Sequence, residues 1–195
     1  SPSNVTLTIS AGTQIYAAES ATGASLVATR GSQINAMGTA DLPIIMAAVP
    51  VDSNNNITGD PTDLTSRGSW GGLILSGQGI VNNANAAGEL ATEASPPNAP
   101  RFFGGMNNSD SSGTLNYVII AETGFAFREG EEVQGLTIEA AGSGTTIDYL
   151  QVIGSDDDCV EWFGGAASAS HLICNAQNDD GLDIDSGYQG NIQFA

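Results

Sequence analysis

The residues of this chain best able to do chemistry are acids, and they cluster. Asp156, Asp157, Asp158 and Glu161 form one group; Asp179, Asp180, Asp183 and Asp185 form a second. A shift of 22 residues lays Asp157-Asp158-Cys159-Val160-Glu161 on Asp179-Asp180-Gly181-Leu182-Asp183. If the backbone coils with that period, equivalent positions stack about 4.8 Å apart. Asp157 then lies over Asp179, Asp158 over Asp180 and Glu161 over Asp183. Like charges so placed repel. Protonation relieves the repulsion by raising pKa values. A hard cation also relieves it, and Ca²⁺ gathers six to eight oxygens from carboxylates, amides and carbonyls. Asp183-Ile184-Asp185-Ser186-Gly187 has the DxDxG opening of many calcium loops, without the remaining EF-hand spacing. Calcium is therefore the expected cofactor, with these eight acids as candidate ligands. Two other readings stay open. The acids could cap backbone amides at solvated turns, or two of them could work as a glycosidase pair. The spacing singles out no such pair, and no residue is assigned a catalytic role.

Cys159 and Cys174 are the only cysteines, 15 residues apart. An even count outside the cytoplasm favours a disulfide, with two buried thiols as the alternative. Zinc lacks the CxxC or paired histidines it would need. His171 is the sole histidine; it aligns with Tyr149 and is expected to point outward from a strand. No GxSxG, Walker or dinucleotide-binding motif occurs. Trp162 and Phe163 are consecutive, so one faces in and one out. Trp70, Arg101, Phe102 and Trp162 are the candidate ligand contacts, since outward aromatics stack on sugar rings; a core role is the rival for the tryptophans.

The elements that position these residues are short. Four- to six-residue apolar or alternating runs recur, bounded by Gly, Asn, Asp or Ser, as in Val5–Ile9, Leu73–Leu75, Tyr117–Ile120 and Asp148–Val152. No helical apolar period of useful length is present. The runs repeat. The shift of 22 also lays Asp148–Val152 on Ser170–Cys174, and a shift of 24 lays Gly135–Ile138 on Cys159–Trp162. Near the start a shift of 19 lays Leu7, Gly12 and Ile15 on Leu26, Gly31 and Ile34. Periods of this size mark a solenoid, and short strands without helix make it a β-helix. A sandwich, the rival, predicts no constant shift. Residues 50–68 and 80–112 break the period and hold five of the seven prolines, so both are expected as long loops leaving the coil.

Composition bounds the partners. The 195 residues carry a net charge of −18, from 22 acids against four arginines and no lysine. That excludes nucleic acid and anionic membrane surfaces, which need clustered bases. No apolar run approaches the roughly 18 residues of a membrane span. Apolar residues make up 41%, enough for a packed core.

The chain resembles a group of secreted or surface-attached right-handed β-helix proteins of marine and other bacteria. Several segments carry the resemblance: Gly12–Tyr16, Arg30–Ile34, Ser69–Leu73, Gly142–Tyr149, Asp157–Gly165 and Asp179–Asp183. They span nearly the whole chain. Where the group has Gly after the paired aspartates, this chain has Cys159. A looser similarity extends to pectate-lyase-like folds. It implies an Arg or Lys base beside calcium-binding acids, yet no Lys exists and no Arg follows Arg128. The acid-rich coils are thus expected to lack a basic partner.

The expectation is one all-β domain over residues 1–195, a right-handed parallel β-helix with coils of about 19–24 residues. Asn191–Ala195 reads as a strand, expected to be continued or covered by something else, and the resemblance, whose members are usually longer, implies that the domain is the N-terminal part of a longer chain. The role expected is a calcium-stabilised, extracellular or cell-surface matrix protein, non-enzymatic, acting in adhesion, glycan contact or self-assembly. A neutral glycan or cell-surface component is the expected partner, and open coil ends suggest head-to-tail homo-oligomers. The rivals are a polysaccharide lyase or glycoside hydrolase with a carboxylate-lined groove, and an accessory module of a larger envelope protein.

Overall fold

The computed structural model describes the chain except residues 1–3, 20–22, 55, 61–63, 65, 96–97 and 129–130. The described residues form strands and no helix. In order these are β1 (Thr6–Ser10), β2 (Gln14–Ala18), β3 (Leu26–Ala28), β4 (Gln33–Met37), β5 (Ile44–Val49), β6 (Leu73–Ser76), β7 (Glu89–Ala91) and β8 (Phe102–Gly104). Then follow β9 (Gly113–Thr123), β10 (Leu136–Glu139), β11 (Thr146–Ser155), β12 (Val160–Phe163), β13 (Ser168–Asn175), β14 (Leu182–Asp185) and β15 (Ile192–Gln193).

Two parallel sheets share these strands turn by turn. One runs β1-β4-β9-β11-β13-β15, with β5 joined to β9 and β2 to β5; the other runs β3-β6-β10-β12-β14. Successive stretches of chain feed each sheet alternately, which is the architecture of a parallel β-helix. The pleat explains the core. Leu115, Ile147 and Ile120 point in from the first sheet; Leu73, Leu75, Leu136, Ile138 and Trp162 point in from the second, and all are essentially solvent-free. Aliphatic stacking of this kind contributes about 25 cal/mol per Å² of apolar surface buried.

The register agrees with the shifts read in the later coils. Thr146 pairs with Ser168, Leu136 with Val160, and Glu161 with Asp183. The early shift of 19 is corrected. Leu7 pairs with Ile34, and Leu26 with Leu73. That shift compared β1 of one sheet with β3 of the other, and β2 with β4, which share a sheet without pairing. Both follow the same local pattern of a strand, a glycine turn and another strand, so they look alike in sequence without being stacked.

Corners are stacked as well. Tyr117, Tyr149, His171 and Phe194 hold φ of 49°, 50°, 51° and 59° on successive coils. A left-handed conformation costs a non-glycine residue roughly 1–2 kcal/mol. It persists here because the flanking ladders fix the bend from both sides.

Residues 50–68 hold only an isolated bridge between Val51 and Ile57 among the described positions. Residues 80–112 contain the antiparallel hairpin β7–β8. Arg30 anchors that insert, donating to Glu89 Oε1 at 2.5 Å and to the Gly104 carbonyl at 3.0 Å. Phe103 packs its ring on Phe163, 6.1 Å between centroids, beside Val81 and Leu90. The insert therefore lies on the outer face of the second sheet.

Candidate functional site

That covered face carries the acids. Because side chains alternate along a strand, the inward positions of β10 and β12 force Thr137, Glu139, Glu161 and Phe163 outward. Thr137, Glu139 and Glu161 are nonetheless buried, because the 80–112 insert covers them. Ile74, outward on β6, is wholly buried as well.

Asp158 sits at the bend before β12, where its Oδ1 accepts the Asp180 backbone N–H at 2.9 Å. The next residue, Cys159, forms a disulfide with Cys174, with Cα atoms 5.7 Å apart. This bond ties the entry of β12 to the end of β13 and holds the bend in place. Carboxylate oxygens of Asp158, Glu161 and Asp183 lie within 4.8 Å of one another, as do those of Asp157, Asp158 and Asp179. Gln134 donates to Asp157 Oδ2 at 3.1 Å. Among the described residues no hydrogen bond reaches the Glu161 carboxyl.

The electrostatics follow from burial and crowding. Lost hydration, then the fields of Glu93, Asp158, Asp183 and Asp157, push Glu161 up to about 9. Burial raises Asp158 to about 6 despite its bond from Asp180, with Asp157, Asp183 and Asp179 adding to the rise. Burial also raises Asp157. Such a nest either holds protons or binds a cation; three ionised carboxylates in mutual contact are unstable without one or the other. Glu139 is a separate case one column away. Its burial raises its pKa, opposed by the hydrogen bond from Ser76 and by the charge of Arg101. The Ser76 hydroxyl donates to it at 2.5 Å.

The structure sorts the expected residues. It brings together Asp157, Asp158, Glu161, Asp179 and Asp183. Asp156 is exposed and lies outside both groups, as do Asp180 and Asp185. The DxDxG stretch spans a strand and a corner: Asp183 and Asp185 lie on β14, and Ser186 and Gly187 form a left-handed corner. Trp70 and Trp162 are corrected from ligand contacts to core residues, at 2% and 0% exposure. Trp70 donates its indole N–H to the Ala121 carbonyl at 2.7 Å, and Trp162 points inward because its neighbour Phe163 takes the outer face. Phe102 is exposed, while Phe103 is the buried ring of the pair. Arg101 is half-buried and donates to the Ala94 carbonyl at 3.1 Å. The insert also carries Arg101 into the field of Glu139, outside the two acid groups. Glu93 and Glu139 were missed. They belong to different segments, and only tertiary packing brings them to the cluster.

The disulfide fits an oxidising, non-cytoplasmic compartment. No helix of the described residues is long and apolar enough to cross a membrane. A family model described as a pectate-lyase like beta helix domain matches residues 2–195. No curated protein and no solved structure matches the chain.

Proposed function

Because the chain belongs to the family of pectate-lyase-like beta helix domains, we propose that it acts as a rigid, calcium-stabilised module of a bacterial cell surface or matrix. Its role in this reading is non-enzymatic: it presents one face to a neutral glycan or another surface component. One observation supports the calcium assignment above the others. Glu161 is buried, lacks a hydrogen-bond partner among the described residues, and has its oxygens within 4.8 Å of those of Asp158 and Asp183. A divalent cation there turns three repulsions into three ligations. Carbonyls and water complete the shell that Ca²⁺ accepts with loose geometry, whereas Mg²⁺ demands a near-ideal octahedron.

The test is thermal unfolding in EDTA, then with Ca²⁺ or matched Mg²⁺ at constant ionic strength. A specific site stabilises by mass action, about 2.7 kcal/mol at a hundredfold excess over Kd. The expected result is a Tm that rises with Ca²⁺, rises less with Mg²⁺, and loses the response in Glu161→Gln. An unchanged Tm with Ca²⁺ overturns the assignment.

A second reading has one observation in its favour. A carboxyl held protonated to about pH 9 beside other acids is what a glycosidic general acid requires. Incubation with neutral glycans and with polygalacturonate, followed by reducing-end assay, tests it. New reducing ends that Glu161→Gln abolishes would replace the scaffold reading with a hydrolase. A surface at −18 repels polygalacturonate unless calcium bridges it.

A further inference from the structure

The outer face of the first sheet has a chemistry unlike the rest of the molecule. Four rings run up it, one per coil: Tyr117, Tyr149, His171 and Phe194. Their centroids are 4.4, 4.3 and 4.9 Å apart, with interplanar angles of 4°, 2° and 22°. Each ring stands on the same left-handed corner, so the stack is imposed by the backbone. Stacking covers the ring faces of Tyr149 and His171 and leaves their edges exposed. His171 Nδ1 lies 2.8 Å from Asp148 Oδ1, and Ser170 donates to the same oxygen at 2.8 Å. Burial opposes ionisation of Asp148, but these bonds prevail and hold its carboxyl below the ordinary range. An ionised Asp148 accepts from Nδ1–H, which in the neutral ring leaves Nε2 as an acceptor.

The ring row separates two grooves. One, of about 500 Å³, is walled by Pro43, Ile119, Gln151 and Ile173 besides the rings. The other, of about 370 Å³, is walled by Thr146, Ser168, Ser170, Asn191 and Gln193 with Asp148. The two flanks are thus apolar and hydroxyl-rich. Among the described acids, Asp148 alone lines either groove, and it is already engaged by Ser170 and His171. On a molecule of charge −18 this face offers little to an anion or a cation. A partner that matches it is uncharged, with apolar C–H surface on one side and many hydroxyls on the other.

We infer that this ridge and its two grooves bind an uncharged polysaccharide, laid across the strands along the ring row. The inference deepens the proposed surface role and rests on it. The apolar flank takes the sugar C–H surface. The Ser, Thr, Asn and Gln columns exchange hydrogen bonds with its hydroxyls, repeating once per coil.

Affinity electrophoresis of the whole chain tests it, in native gels containing soluble xyloglucan, mixed-linkage β-glucan, starch or polygalacturonate, with Ca²⁺ and with EDTA. The expected result is retardation by at least one of the three neutral polymers and none by polygalacturonate. Ile173→Asp places a charge on the exposed apolar flank and is expected to weaken retention at least about tenfold, with Tm unchanged. Gln151→Ala, which removes one amide at the same groove, is expected to weaken it about threefold. No retardation by any neutral polymer overturns the inference. So does equal retardation by polygalacturonate, or full retention by a folded Ile173→Asp. The calcium assignment fails separately, through an unmoved Tm, and retention in EDTA leaves the glycan face standing without it.

Discussion

Glu161 illustrates how a side chain's chemistry is set by what lies over it. Its free energy is tied to pH in a definite direction. In the absence of metal the folded protein holds this proton to about pH 9, against an ordinary value of 4.5. Between those values the folded state binds more protons than the unfolded one, so stability falls as pH rises through the window. Glu161→Gln removes that slope. In EDTA at pH 8 the variant is expected to melt higher than the parent, by roughly 5 °C or more, since 1 kcal/mol moves a domain of this size about 2–4 °C. A lower Tm in those conditions contradicts the burial argument. Calcium competes with the same proton, so its stabilising effect is expected to be larger at pH 8 than at pH 5.5, read as the difference between melts with and without EDTA. The stacking of Glu161 over Asp183 was legible from the 22-residue shift. Its burial was not, because the residues that bury it lie in an insert with no periodic relation to the coil.

At the scale of the element, the corners and the disulfide decide how tightly the coil closes. Gly124 holds φ at +90°, and a Cβ built there would lie 2.2 Å from the Asp156 backbone nitrogen. Gly124→Ala combines backbone strain with a clash that no side-chain rotation relieves, and is expected to cost about 3 kcal/mol or more, measured by urea unfolding. The Cys159–Cys174 bond closes a loop of 15 residues next to the acid nest. The Cys159→Ala/Cys174→Ala variant is expected to lose about 3 kcal/mol, and its calcium response should weaken as well, since the bond fixes the bend that carries Asp158. Equal calcium shifts in variant and parent would separate the disulfide from the site. The cysteine pairing was open in the sequence between a disulfide and two thiols. Their distance depended on the shape of the coil, which spacing along the chain does not contain.

The whole molecule is governed by charge and by the insert that closes over one face. With 22 acids against four arginines, the compact state concentrates like charge. In EDTA the Tm is therefore expected to rise with NaCl between about 0.01 and 0.3 M as the Debye length shrinks; a flat response would mean the acids are already neutralised by protons. The insert is held by Arg30 through Glu89 and the Gly104 carbonyl. Both ion-pair partners are partly exposed, so solvent screening leaves the pair itself little weight in stability. Arg30→Ala is accordingly expected to change Tm little, yet to raise the rate of limited proteolysis within 80–112, because it loosens one attachment of a segment outside the coil.

The amino-acid sequence by itself determined the coil. Hydrophobic runs recurring at 22 and 24 residues, cut by glycine and aspartate turns, leave few ways to bury every apolar face other than stacking like on like, and the later registers follow. It also determined that Glu161 meets Asp183 and that His171 meets Tyr149, because both pairs are one period apart. Tertiary structure alone decided which of two adjacent aromatics turned inward, Trp162 or Phe163, since alternation fixes a difference and not a direction. Only folding decided that the 80–112 insert covers the acids, bringing Glu93 and Arg101 to Glu161 and Glu139. Contacts between a periodic coil and an aperiodic segment depend on the path of the chain through space, and no local spacing encodes that path.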